Sequence, residues 1–145
     1  MAKFIYKFES IKKTKEALEK KVQKEMAVID LEIAKLTEEY KQVEDEEIKS
    51  KRSWLKKDIS ISEIKFKKNY ELLLNRKKSA LMIQIEKMNE KKDLKLKELI
   101  EKSKEHKIFE TLEETYHENF IAEQNHLELK FIDELATQKY VRQTK

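Results

Sequence analysis

In the first part of the chain, apolar side chains return every three or four residues: Phe4, Phe8, Ile11, Leu18, Val22, Met26, Ile29, Ile33, Leu36, Tyr40 and Val43. This spacing predicts a helix with a narrow apolar stripe, the kind that seams one helix to another in a coiled coil. Lys15 occupies one stripe position, where its stem can pack while its amine reaches water. Leu18, Val22 and Met26 are spaced four and four, a stutter that locally relaxes a left-handed supercoil. The pattern carries helix 1 from about residue 4 to about residue 57.

The pattern breaks near residues 58–61. Ile59 and Ile61 alternate with Ser60 and Ser62, as in a short strand. Ser60-Ile61-Ser62-Glu63 also has the form of a capping box, with Ser60 as cap and Glu63 bonding back to it. Ordinary mid-helix serines are the alternative. Helical spacing then resumes at Ile64 and Phe66. It continues through Tyr70, Leu74, Leu81, Ile85, Leu112, Tyr116, Phe120, Leu127, Phe131 and Leu135, which predicts helix 2 from about 61 to about 140.

Composition narrows the fold class. The 145 residues contain no Gly, Pro or Cys, and 43% are charged. Turns usually recruit Gly, Pro, Asn or Asp, so few turns and an elongated all-α chain are expected. Residues 1–145 are expected to form a single coiled-coil domain. Without cysteine there is no disulfide, thiolate metal site or thiol nucleophile. The start, MAKFIYKFES, is not expected to be a signal peptide, and no apolar run approaches the ~20 residues of a membrane span.

Charge decides between a hairpin and a rod. If the chain folds back at Ser60, residues whose numbers add to about 119 lie side by side. The acidic block 36–48 then meets Arg76, Lys77 and Lys78, and the basic start meets Glu105, Glu110, Glu113 and Glu114. A parallel in-register dimer would instead set Glu44-Asp45-Glu46-Glu47 against its own copy. The expectation is therefore an antiparallel coiled-coil hairpin whose second helix is the longer. Helix 1 would end opposite about residue 115, leaving 116–140 as an overhang roughly 35 Å long. That overhang still carries an apolar stripe, which marks a binding surface or an oligomer contact.

Candidate chemistry is sparse. Glu114 and His117, and Glu123 and His126, each have the Glu-x-x-His spacing used by di-iron bundles. Nine helical steps place the two pairs on opposite faces, about 13 Å apart along the axis. No metal site, no catalytic residue, no cofactor and no small-molecule substrate are expected. Residues 49–68 hold eight Lys or Arg against Asp58 and Glu63, with Trp54 and Phe66 among them. Such a patch could hold RNA or an acidic membrane, or it could be a solvated hairpin end with the two rings packed over the turn. No nucleic-acid partner is expected.

Four segments then suggest a family. KFIYKFESIKK opens the chain, NYELLL follows the turn, FETLEE lies late in helix 2, and ELKFIDELA spans 128–136. In that order the chain resembles the FliJ family of the bacterial flagellar type III export apparatus. Leu129 stands where the family usually has Gln. The resemblance implies a central-stalk-like, non-enzymatic partner of the export ATPase hexamer. Such a protein links the ring to the membrane export-gate protein and escorts substrate-specific export chaperones. It implies a cytoplasmic location, peripheral at the inner membrane. It also implies ring-binding residues Phe4, Phe8, Phe120, Leu127, Phe131, Asp133, Glu134 and Leu135. The gate-binding face falls on Tyr70, Leu74, Lys77 and Leu81, with Lys77 where a small residue is more usual. The rival readings are a homo-oligomeric structural coiled coil and a prefoldin-like holdase chaperone.

Overall fold

Without Gly or Pro to interrupt them, the two apolar stripes become two uninterrupted α-helices, and no described residue has a positive φ. The computed structural model describes residues 3–55 and 58–144. Helix α1 is Glu9–Ser53 and α2 is Ile61–Gln143. The fold is all-α, and the second helix is the longer. Helix α1 ends before the expected residue 57: Trp54 and Leu55 are not helical, and Lys56 and Lys57 lie outside the described residues.

The helices run antiparallel, and the chain divides into two units. One is Lys20–Ile100, built around the turn. Its thin core is made by Val22 and Leu74, which are 4% and 1% exposed. Half-buried Met26, Ile29, Ile33, Leu36 and Tyr40 on α1 and Leu81, Ile85 and Met88 on α2 extend the seam. Two helices cover each side chain from one side only, which is why so little of the seam is fully enclosed. Ion pairs flank it: Glu25 with Lys95 at 2.6 Å, Asp30 with Lys92 at 2.7 Å, and Glu47 with Lys78 at 2.7 Å.

The turn is built locally. Trp54 donates its indole N–H to the Ser50 hydroxyl at 3.0 Å, and its ring centre lies 6.1 Å from that of Phe66. Phe66 in turn stacks on Tyr70. At the start of α2 the Ser60 amide donates to the Glu63 carboxylate at 3.1 Å, and the Glu63 amide donates to the Ser60 hydroxyl at 3.3 Å. Two amide donors, one of them left free at the helix start, are satisfied by this reciprocal pair.

The other unit joins the residues up to Glu19 with those from Glu101 onward. Lys12 pairs with Glu113, and Lys15 with Glu105 at 2.8 Å, so the basic start and the late acidic stretch do face each other. The Lys15 ammonium holds the Glu105 carboxyl below its ordinary pKa. His106 Nδ1 lies 2.7 Å from a Glu19 carboxylate oxygen.

Helix α1 starts at Glu9, later than the expected residue 4. Residues 3–6 are not helical, and they alternate: Phe4, Tyr6 and Phe8 turn inward while Lys3, Ile5 and Lys7 stay exposed. An extended residue advances about 3.3 Å, against 1.5 Å in a helix. This short segment therefore covers more of α2 than a helix of the same length would, and it reaches Phe120. Among the described residues, the uncovered part of α2 accordingly begins after Phe120 and not at residue 116.

Candidate functional site

Two surfaces carry the residues singled out from the sequence. The first is the late part of α2. Its approach is an aromatic cluster fixed by the N-terminal segment. The Tyr6 hydroxyl donates to the Phe109 carbonyl oxygen at 2.8 Å; that carbonyl has a second lone pair free for it. Tyr6 is 6% exposed, and burial, followed by the nearby Glu113, pushes its hydroxyl pKa up. Phe8 packs edge-on against Phe109 and Tyr116, while Phe4 meets His117 at 5.0 Å and Phe120 at 5.6 Å between ring centres. Phe4 and Phe120 thus meet directly, Phe8 packs on neighbouring rings of the same cluster, and all three are half-buried.

Beyond this cluster every apolar side chain of α2 is exposed. Leu127, Phe131 and Leu135, four and four apart, form one slowly drifting stripe with Ile132 at its edge. Phe131 is 62% exposed. Glu134, seven residues after Leu127, borders this stripe, whereas Asp133 lies on the far side of the helix. Both line a shallow, open surface with Thr137, Gln138, Val141 and Arg142.

Tyr70, Leu74, Lys77 and Leu81 divide in the opposite sense. Leu74 is the most buried residue described, Tyr70 and Leu81 are half-buried in the seam, and Lys77 alone is exposed. Helical spacing puts the three apolar side chains on the face that meets α1. Only the edge with Lys77, and the neighbouring Leu73, is open to a partner.

Tyr6 is the residue that sequence reasoning missed. The signal was present: Phe4-Ile5-Tyr6-Lys7-Phe8 alternates with a period of two, which puts Tyr6 between the two phenylalanines on one side. A helical reading turns Tyr6 to another side.

Among the described residues no group of three or more His, Asp or Glu side chains is placed to hold a metal ion. His117, one half of a Glu-x-x-His pair, is in edge contact with Phe4. No helix among them is long and apolar enough to cross a membrane. What the arrangement offers is adhesion: an open apolar stripe on a helix whose preceding turns are clamped by aromatic packing. No curated protein and no solved structure matches the chain significantly. The family model described as Flagellar FliJ protein matches residues 4–145, nearly the whole chain, which therefore belongs to the FliJ family and is a flagellar, export-related coiled-coil protein.

Proposed function

We propose that this chain is a non-enzymatic, central-stalk-like partner of the flagellar export ATPase ring, acting in the cytoplasm at the inner membrane. The observation that carries the reading is the uncovered stripe Leu127–Phe131–Leu135, which finds no partner within the described residues. Family membership supplies the context, an export apparatus in which such a stripe would meet another protein.

In this reading the stripe, with Glu134 beside it and Asp133 farther round the helix, enters the ring. The Phe4–Phe8–Phe120 cluster serves as its collar. A stiff, asymmetric helix end presents different contacts to each ring subunit. Contacts that favour one nucleotide state of a subunit raise the population of that state. The chain thereby stimulates ring assembly and ATP hydrolysis without hydrolysing ATP itself. The export-gate protein docks along the edge marked by Lys77, with Tyr70, Leu74 and Leu81 shaping that edge from within the seam. Substrate-specific export chaperones are escorted in the same complex.

The test uses the purified export ATPase with and without the full chain. Stimulated hydrolysis and a larger share of hexamer are expected. Phe131→Ala with Leu135→Ala should remove the stimulation while helical circular dichroism is unchanged. An unaltered rate and oligomeric state with the unsubstituted chain would sink the stalk reading. A stable dimer at low micromolar concentration in sedimentation, lost on the same double substitution, would instead favour a homo-oligomeric coil using this stripe.

A further inference from the structure

The turn end of Lys20–Ile100 is the most cationic stretch of the chain. Residues 49–68 carry eight Lys or Arg against two carboxylates, whereas the whole chain has a net charge of +4. Six of the eight are among the described residues: Lys49, Lys51, Arg52, Lys65, Lys67 and Lys68.

These cations differ from several along the arms. Lys78, Lys92 and Lys95 each reach across to a carboxylate on α1. At the turn, Lys51 pairs with Glu47 on its own helix, and no ion pair among the described residues engages Arg52, Lys65 or Lys68. Of the two local carboxylates, Glu63 is bonded to the Ser60 amide. The positive charge of the turn is therefore not spent on holding the hairpin in register.

Apolar side chains stand open among these cations. Leu55 is 83% exposed and Ile61 76%, and Ile64 and Phe66 are exposed as well. On α2, Ile61, Ile64, Lys65, Lys68 and Leu72 recur at helical spacing and share the side turned away from the seam. Aliphatic residues interleaved with lysines on one outward face are the pattern of a helix that rests in a membrane interface. Its cations meet lipid phosphates while its aliphatic side chains enter the acyl boundary.

We propose that the turn end, through Leu55, Ile61 and Ile64 with Arg52, Lys65 and Lys68, docks on an anionic lipid surface. The side chains favour lipid over single-stranded RNA. RNA sites stack bases on open aromatic faces. Here Phe66, although 62% exposed, is flanked by Trp54 and Tyr70 and stacked on the latter, and the two most open apolar side chains, Leu55 and Ile61, are aliphatic. The docking is independent of any contact with the ATPase ring.

The test is co-sedimentation of the full chain with phosphatidylcholine vesicles made with and without phosphatidylglycerol. Binding to the anionic vesicles alone, weakened by salt, is expected. The single tryptophan, Trp54, lies at this end and should change its emission on binding. Lys65→Glu with Lys68→Glu should lower the affinity at least about tenfold, since each cation near such a surface contributes about fivefold. Leu55→Ser with Ile64→Ser should also weaken binding, with helical circular dichroism retained in both variants. Charge reversal on the arm, Lys91→Glu with Lys97→Glu, should leave binding nearly intact. Absence of binding to anionic vesicles would overturn the proposal, as would an equal loss in the arm variant. Tip-dependent binding of single-stranded RNA that is tighter than vesicle binding would also overturn it, by making nucleic acid the partner.

Discussion

Leu74 is the best-enclosed side chain among the described residues, so truncating it tests how much a two-helix seam relies on one position. Leu74→Ala is expected to cost about 2–3 kcal/mol, the low end for buried leucines, because a thin seam can partly close over the gap. A denaturant melt followed by circular dichroism measures it. Glu47 is the complementary electrostatic case. Its two carboxylate oxygens accept from Lys51 and Lys78, and these bonds lower its pKa from 4.5 to about 2. A lowered carboxyl pKa stabilises the folded state fully above the unfolded value. That contribution fades as pH falls from about 4.5 through about 2. The melting temperature should therefore drop across this window. Glu47→Gln should melt lower than the unsubstituted chain at neutral pH, and the difference between the two should vanish near pH 2. A constant difference across the window would show that Glu47 contributes through packing alone. Val22 and Leu74 both stand on stripes legible in the sequence, but nothing in the spacing singles them out as the two that become enclosed.

At the scale of elements, the start of α2 and the start of the chain respond to different forces. The α2 start is a local matter. Ser60→Ala removes the acceptor for the Glu63 amide and should cost about 1 kcal/mol, read as a lower melting temperature with unchanged helix content in the cold. Such a cap involves residues three apart, and a sequence window of that size contains all of it. The chain start is a tertiary matter. Phe4 and Phe8 have helical spacing, and by spacing alone residues 4–8 continue α1. The extended path wins because it points Phe4, Tyr6 and Phe8 toward Phe109, Tyr116 and Phe120 together and satisfies the Tyr6 hydroxyl. Removing residues up to Phe8 should speed amide hydrogen exchange around 109–120 and leave the exchange of 70–90 unchanged. Equal acceleration in both stretches would mean that the N-terminal segment stabilises far more than its own neighbourhood.

For the whole molecule the decisive prediction concerns the uncovered end of α2. Deleting residues from 122 onward keeps the aromatic cluster intact but removes Leu127, Phe131 and Leu135. Such a chain should stay helical and should no longer stimulate the export ATPase. Retained stimulation would move the ring contact to another surface. The sequence by itself determined that the chain is two helices, since periodicity and the lack of Gly and Pro are local properties. It determined the antiparallel pairing as well, because opposite charges were already distributed to match, and Lys12–Glu113, Lys15–Glu105 and Glu47–Lys78 are the result. Only the tertiary structure decided which apolar residues are seam and which are surface. Leu74 and Phe131 look alike in a stripe. One is enclosed because α1 lies over it, and the other is open because, among the described residues, neither α1 nor the extended N-terminal segment is seen to reach beyond Phe120. That reach depends on the conformation of a few residues far away in sequence, so no local pattern around Phe131 could reveal it.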